Sequence, residues 1–180
     1  APDLVIAEDG AGPPEAIAVL EAASVPFISV PDGYDRAAVR AKIEAVADAL
    51  GVPEKGAQLA DQIDSDLAQA IKTATTGEEK RVLFILSMQG GRILASGTNT
   101  AADGIIRLSG GQNAMTDYEG YKPLTDEAAI ESRPDVILMM DRGDDHEVDT
   151  PDVFSHPGLA VTPAAKTGSV VRVDGLLLLG

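Results

Sequence analysis

The chain has 180 residues, of which 44% are hydrophobic and only 3% aromatic, and it contains neither cysteine nor tryptophan. Its net charge of −15 argues against nucleic acid and anionic lipid as partners, since both are bound through basic surfaces. Without cysteine, disulfides, thiolate catalysis and cysteine-bound zinc or iron–sulfur centres are excluded. The composition predicts an α/β core of small aliphatic side chains, in one domain or two small lobes.

The first fifty residues alternate between strands and helices. Short apolar runs predict buried strands over residues 2–7 and 25–30, with a helix over 14–23 between them. A second helix is predicted over 36–50. Asp35 is placed to cap it, because a carboxylate accepts hydrogen bonds from the free N–H groups of a first helical turn.

A long amphipathic helix is predicted over residues 53–77. Its apolar side chains recur at steps of four and form one stripe, which consists of Leu59, Ile63, Leu67 and Ile71. At about 1.5 Å per residue, some 22 helical residues extend roughly 33 Å, which is enough to connect two lobes. The dipeptide Pro-Asp followed by an apolar run occurs on both sides of this helix, which favours two similar halves.

The sequence therefore predicts an α/β protein of two small lobes with parallel-type sheets, joined by one long helix. Residues 1–52 are assigned to the first lobe, 53–77 to the linking helix and 78–180 to the second lobe. The second lobe begins with an apolar strand over 81–86, a Gly-Gly turn and a short partner strand over 93–95.

The longest irregular stretch is predicted over residues 112–124, after a helix over 101–108. It holds two of the three tyrosines and a lysine. Aromatic and basic side chains in a loop on an α/β scaffold favour a functional role, and packing of the rings under the loop is the alternative.

The next helix begins after Thr125, which is a predicted N-cap. Asp126 and Glu127 lie in its first turn, where carboxylates favour the positive end of the helix. Pro134 ends this helix and starts a buried strand, and the last strand is predicted over 170–173.

No arrangement of residues requires an enzyme. Gly-x-Ser-x-Gly and His-Glu-x-x-His are absent, and two histidines without cysteine leave little general-base chemistry near neutral pH. A binding protein without catalytic residues or a metal site is therefore favoured. The polar loop over 141–147 keeps an alternative open, because its carboxylates and His146 would suit a divalent metal in an α/β hydrolase or transferase. A solvated loop explains the same residues.

Several segments resemble the substrate-binding proteins of bacterial haem (hemin) ABC importers, in the long-helix class that also binds cobalamin and siderophores. The matching segments are residues 2–7, 82–87, 90–92, 100–103, 110–114, 119–124, 134–138 and 174–180. Gly-Tyr-Lys-Pro-Leu and Asp-Gly-Leu-Leu-Leu-Leu-Gly are the pieces more particular to the haem branch. The resemblance covers nearly the whole chain.

The resemblance implies two lobes with haem held in the cleft between them, in a periplasmic or lipid-anchored protein. Such a protein delivers haem to an ABC permease dimer without catalysis; cobalamin or a ferric siderophore is the alternative ligand. In this family the haem-ligating tyrosine lies upstream of the first strand found here, and a short helix follows the final leucine run. We therefore expect a chain truncated at both ends, with an incomplete N-terminal lobe, that pairs with a second copy through exposed apolar surface.

The resemblance also implies which side chains contact the haem. Tyr118, Tyr121, Lys122 and Met115 are expected to contact the porphyrin or its propionates from the second lobe. Aromatic faces and a cation suit a flat dianionic macrocycle. Arg92 is a second expected cation.

Glu127 matches the position at which the family has a carboxylate that meets basic residues of the permease. It stands at the start of the helix before the second Pro-Asp strand. Permease docking is therefore one expected role of Glu127, and simple helix-start electrostatics is the alternative.

Overall fold

The computed structural model describes residues 2–74, 77–141, 149–175 and 178. The mixed α/β class predicted from the sequence is confirmed. The chain divides into two compact units, residues 1–70 and 71–180. Within the described ranges, no helix combines the length and the apolar character that a bilayer crossing requires.

The first unit begins with a two-stranded parallel sheet. β1 (Val5–Glu8) pairs with β2 (Phe27–Val30), and α1 (Pro14–Glu21) connects them. The two predicted strands and the predicted helix are confirmed, each shorter than expected. α1 begins with proline, whose missing N–H leaves nothing unpaired in a first helical turn.

The remainder of the first unit is formed by α2 (Arg36–Ala49) and the first part of α3 (Pro53–Ala74). The two helices approach closely at Gly56, where an added Cβ would lie 2.2 Å from the Cβ of Ala47. Ion pairs between Arg36 and Asp64, at 2.7 Å, and between Arg40 and Asp61, at 2.5 Å, also join the two helices. The small residues Gly56 and Ala47 therefore allow α2 and α3 to pack closely together.

The cap of α2 is confirmed, because Asp35 accepts a hydrogen bond from the N–H of Ala38 at 2.8 Å. The apolar stripe of α3 is less buried than its period predicts. Leu59 is 52% exposed, whereas Ala60 is 1% exposed. The difference arises because α2 packs along the small residues of α3 instead of its leucines.

A six-stranded sheet forms the framework of the second unit, in the order β6-β4-β3-β7-β8 with β5 beside β3. Its strands are β3 (Arg81–Gln89), β4 (Arg92–Ser96), β5 (Gln112–Asn113), β6 (Tyr121–Leu124), β7 (Val136–Asp141) and β8 (Val170–Asp174). β3, β7 and β8 are parallel, whereas β4 is antiparallel to both β3 and β6. The predicted irregular stretch over 112–124 is wrong at both of its ends, which form β5 and β6.

Helices cover both faces of this sheet. α4 (Ala101–Leu108), which has the predicted bounds, packs over Phe84 and Leu138. The other face is covered by α5 (Asp126–Ser132), α6 (Thr150–Ser155), α7 (Pro157–Ala160) and α8 (Pro163–Thr167). There the core includes Leu83, Ile85 and Ile137, all fully buried. The sequence pattern did not predict α8.

The β3–β4 hairpin contains a bulge. Ile85 pairs with Ala95 and Ser87 pairs with Leu94, so Leu86 is an extra residue on β3. The predicted Gly-Gly turn at residues 90–91 is confirmed, with φ angles of 56° and 74° that glycine adopts without strain. β3 thus continues three residues beyond its apolar run.

The strand directions give this sheet two different edges. β3, β6, β7 and β8 all end at the carboxyl edge, which holds the Gly-Gly turn, Arg92 and the start of α5. The amino edge is the opposite one, and it holds the end of β4 and the segment 97–100. Ligands of α/β sheets usually bind outside the carboxyl ends of the strands.

Two sequence predictions fall on residues outside the described ranges. The alternative metal-binding loop spans residues 141–147, and all of it except Asp141, including His146, lies outside the described part of the chain. Most of the final leucine run, at 176–177 and 179–180, lies outside it as well.

Candidate functional site

Arg92 lies at the carboxyl edge, at the first position of β4. A pocket of about 410 Å³ is found here, and its lining includes Ser87, Gln89, Gly91, Arg92, Leu94 and Pro123. The Arg92 side chain is exposed, and among the described residues no carboxylate pairs with it. Its guanidinium is therefore available to an anion, which it can bind through two parallel N–H groups.

The start of α5 lies at the same edge. Thr125 caps the helix as predicted, since its hydroxyl oxygen accepts a hydrogen bond from the N–H of Ala128 at 3.2 Å. Glu127 is exposed in the first turn. An exposed carboxylate at this position suits contact with a basic partner as well as helix-start electrostatics.

His156 connects these two parts of the carboxyl edge. Its side chain is 8% exposed, with Nε2 lying 3.1 Å from the carbonyl oxygen of Gly91 and Nδ1 lying 3.7 Å from Oδ1 of Asp126. Sequence reasoning missed this residue. A single histidine before Pro157 is typical of a turn, and Gly91 is 65 residues away in the chain.

Tyr118 and Lys122 contact each other towards the amino edge. Nζ of Lys122 lies 5.2 Å from the centroid of the Tyr118 ring. The Tyr118 hydroxyl donates to the carbonyl oxygen of Ala95 at 3.2 Å, and burial raises the pKa of the phenol. Because Ala95 and Arg92 are three residues apart on β4, roughly 10 Å of strand separates this pair from Arg92.

Tyr121 and Lys122 lie on opposite faces of the sheet, because successive residues of a strand alternate. Tyr121 packs edge-on against Phe84 beneath α4, with ring centroids 6.4 Å apart. By the pairing of β4 with β6, Arg92 shares this face with Tyr121. The expected haem contacts therefore do not converge on one surface.

Met115 is 6% exposed and belongs to the core cluster beneath α5–α8. Its side chain packs under the loop that leads to Tyr118. Because Met115 is buried, the expected contact between its side chain and a ligand would lie inside this core.

A buried polar network holds the amino edge together. The Asn113 amide group donates to the carbonyl oxygen of Gly97 and to Oδ1 of Asp103, both at 3.0 Å. Its own oxygen accepts from the N–H of Met115 at 3.0 Å. Asp103 is 4% exposed and also accepts from the N–H of Asn99 at 3.3 Å. These bonds fix the segment 97–100 against the loop after β5, and the resemblance gave no role to Asn113.

The same segment is in close contact with Tyr118. An added Cβ on Gly97 would lie 2.1 Å from the carbonyl oxygen of Tyr118, so only glycine fits. A pocket of about 560 Å³ is lined in part by Asn99, Asp103 and Arg107. Within the ranges that the structure describes, no group of three or more His, Asp or Glu side chains could hold a metal ion.

A comparison with known families covers almost the whole chain. Residues 1–176 match the family described as "Periplasmic binding protein". The chain belongs to the periplasmic binding protein family. The α/β fold agrees with this membership, since α/β proteins usually bind their ligands at an edge of the sheet.

Two solved structures are similar to this periplasmic binding protein chain over nearly its whole length. The periplasmic heme-binding protein BhuT, in complex with two hemes, is 40% identical with a TM-score of 0.89, and the match covers 99% of this chain and 69% of that one. The periplasmic heme-binding protein RhuT from Roseiflexus sp. RS-1, in apo form, is 38% identical with a TM-score of 0.86 and the same coverage.

A curated relative matches as well. It is the uncharacterized ABC transporter substrate-binding lipoprotein YvrC of Bacillus subtilis (strain 168), which is 31% identical over 145 residues. The match covers 78% of this periplasmic binding protein chain and 46% of YvrC. The chain therefore spans about half the length of the curated relative that it matches.

Proposed function

We propose that the whole protein containing this chain is the extracytoplasmic haem-binding component of a bacterial ABC importer. The observation that carries the proposal is the 40% and 38% identity to two solved heme-binding proteins across 99% of the chain. The match to the lipoprotein YvrC supports a periplasmic or lipid-anchored location. The protein captures haem and releases it to the permease without catalysing a reaction.

In this proposal Arg92 binds a haem propionate at the carboxyl edge. Its exposed guanidinium has no acidic partner among the described residues, and it lies beside a pocket lined by apolar and polar side chains. The chain as a whole has a net charge of −15, which disfavours the binding of a dianionic ligand. A cation is therefore needed where such a ligand binds. Tyr121 is on the same face of the sheet but pairs with Ser96, roughly 13 Å along β4 from Arg92, so its ring is proposed to contact only the part of the ligand that extends towards the amino edge.

Lys122 and Tyr118 form the second proposed contact with haem. The cation and the ring face are already paired with each other, so a propionate would bind Lys122 without displacing the tyrosine hydroxyl from Ala95. Met115 supports this loop from the core. Because the pair lies on the other face of the sheet, we expect its contribution to be smaller than that of Arg92.

Glu127 is proposed to dock on basic residues of the permease dimer. It is exposed and lies at the same carboxyl edge as Arg92, so one edge would carry both ligand and partner contacts. Exposed rim charges steer association more than they add affinity.

The proposed lobes are residues 1–52 and 78–180, linked by the helix over 53–77. The passage of α3 from the first compact unit into the second supports this linking role. The isolated chain is proposed to pair with a second copy through the apolar surface of α2 and α3, where Leu50 is 59% exposed. Sedimentation at increasing concentration tests the pairing, and Leu50→Ser together with Leu59→Ser is expected to leave a monomer.

The function is tested by titrating hemin into the whole protein and into this chain while the Soret band is followed. We expect a saturable change in the whole protein. Cyanocobalamin and a ferric siderophore, added in parallel and followed by calorimetry, serve as comparison ligands. Saturable binding of either one without a response to hemin would overturn the haem assignment in favour of that ligand.

A further inference from the structure

His156 is more deeply buried than most polar residues of the carboxyl edge, and its ring makes one well-defined hydrogen bond. Nε2 lies 3.1 Å from the carbonyl oxygen of Gly91. A carbonyl oxygen only accepts, so Nε2 must carry the hydrogen and donate it. This bond fixes the tautomer of the ring.

The other ring nitrogen has no such partner. Nδ1 is buried and makes no hydrogen bond with any described residue, and Oδ1 of Asp126 lies 3.7 Å from it. With the hydrogen on Nε2, the neutral ring presents only a lone pair to this carboxylate. A buried acceptor without a donor is unfavourable, and an apolar side chain would fill the space better. Packing alone therefore does not explain a histidine here.

The partner of Nε2 gives the explanation. Gly91 is the second residue of the Gly-Gly turn, it has a φ of 74°, and it directly precedes Arg92. Both glycines of the turn are exposed, and nothing lies within 4 Å of a Cβ built on either of them. Packing around the side-chain positions therefore does not restrict the two glycines, and glycine has the largest conformational freedom of any residue.

The imidazole ring of His156 lies in a closely packed part of the second unit. His156 lies between α6 and α7, and α7 packs closely against α5: an added Cβ on Gly158 would lie 2.9 Å from the Cα of Asp126. Val153 and Leu159, on either side of the histidine, are completely buried. The hydrogen bond thus connects the exposed Gly-Gly turn to a closely packed helical corner.

We propose that His156 is a positioning residue, which fixes the Gly-Gly turn through its Nε2–H and so orients the guanidinium of Arg92 for the bound ligand. The proposal rests on the proposed haem-binding function and adds a residue to that site. His156 does not touch the ligand. His156 affects the affinity for the ligand only by orienting Arg92. A residue that only stabilises the fold would affect affinity whether or not Arg92 is present.

The test compares hemin affinity in four variants of the whole protein: His156→Leu, His156→Gln, Arg92→Ala and the double variant H156L/R92A. The glutamine amide nitrogen reaches about as far as Nε2 and keeps a donor to Gly91. We expect H156L to weaken hemin binding roughly tenfold, which is the loss of one aligned hydrogen bond, and H156Q to restore most of it. In the R92A background, H156L should have no further effect. Equal additional weakening in that background, or a glutamine variant as weak as the leucine variant, would overturn the proposal.

A second measurement needs no ligand and separates this proposal from the haem assignment. Amide hydrogen exchange at Gly91 and Arg92 should be faster in H156L than in the unaltered protein, and H156Q should return it towards the original rate. Unchanged exchange in H156L contradicts the positioning role even if hemin binds. If hemin fails to bind while exchange responds as expected, the haem assignment is wrong and the positioning of the turn stands. Should H156L not fold, His156→Asn provides the comparison, because its shorter amide cannot reach Gly91.

Discussion

At the amino edge of the second unit's sheet, Asn113 and Asp103 are both 4% exposed and bonded to several partners. At the carboxyl edge, Arg92 is exposed and has no acidic partner among the described residues. The first arrangement determines which loop conformation the chain adopts, because buried polar groups tolerate few alternatives. The second leaves a charge available to bind a ligand. The sheet therefore separates the groups that specify the fold from the groups that are free to bind.

Replacing Asn113 by leucine is expected to disrupt the network at the amino edge and to cause the largest loss of stability among these variants. It removes both amide donors and leaves the Gly97 carbonyl and the Asp103 carboxylate with fewer partners, which should cost about 3 to 5 kcal/mol of unfolding free energy. Urea denaturation measures the change. Gln112→Leu, at the exposed neighbouring position, is the control and should cost less than about 0.5 kcal/mol. Equal losses in the two variants would contradict the role of the network.

Gly97→Ala is expected to strain the same edge. The new Cβ would meet the Tyr118 carbonyl oxygen at 2.1 Å, and because this oxygen belongs to the backbone the loop must shift. We expect a loss of about 1 to 3 kcal/mol, read as a lower Tm. Gly77→Ala is the matched control, since a Cβ there has nothing within 4 Å. A Tm as high as that of the control would show that the loop is not tightly held.

Arg92→Ala and Lys122→Ala compare the two proposed cations directly. Loss of a charge-assisted hydrogen bond to a propionate should weaken hemin binding about 10- to 100-fold for R92A. For K122A we expect only a few-fold loss, because its cation is already paired with the Tyr118 ring. Hemin titrations of both variants give the ratio. A larger effect for K122A would move the principal ligand contact to the other face of the sheet.

The smallest expected effect is a pH dependence carried by Tyr118. Burial raises the pKa of its phenol above the ordinary value of about 10, so the folded chain keeps this proton at a pH where the unfolded chain has lost it. The contribution to stability is complete below pH 10 and is lost as the pH rises through the folded pKa. Urea denaturation at pH 9 and pH 11 should show a larger fall for the unaltered protein than for Tyr118→Phe. The same fall in both would mean that other groups cause it.

Local features of the fold could be predicted from the sequence. The caps at Asp35 and Thr125 and the bounds of α4 were correct because their signals lie within a few residues of one another. β5 was missed because Gln112 and Asn113 have little strand propensity and pair only through the distant strand β3. The sequence pattern did not indicate that pairing with β3 would outweigh this low strand propensity.

The candidate site was less predictable for a related reason. Apart from Arg92, the resemblance selected residues of one loop, but Tyr121 and Lys122 are neighbours in sequence and so point to opposite faces of β6. Such a separation follows from strand alternation, which becomes visible only once the loop is known to contain a strand. His156 carried no signal, since its partner Gly91 belongs to a different supersecondary unit.

The extra residue at Leu86 also bears on how such a site can change over generations. Beyond the bulge, residues 87–89 have the opposite alternation from the one that the buried part of β3 would impose. β7 pairs with β3 only over residues 82–85, so the core ladder ends before the bulge. Deleting Leu86 would remove the bulge and keep Ser87 opposite Leu94, so the side chains that line the Arg92 pocket would stay on their present faces and that ladder would remain intact. The chain can therefore lose one residue of β3 in a single mutational step without turning over the pocket lining or changing the pairing in the core.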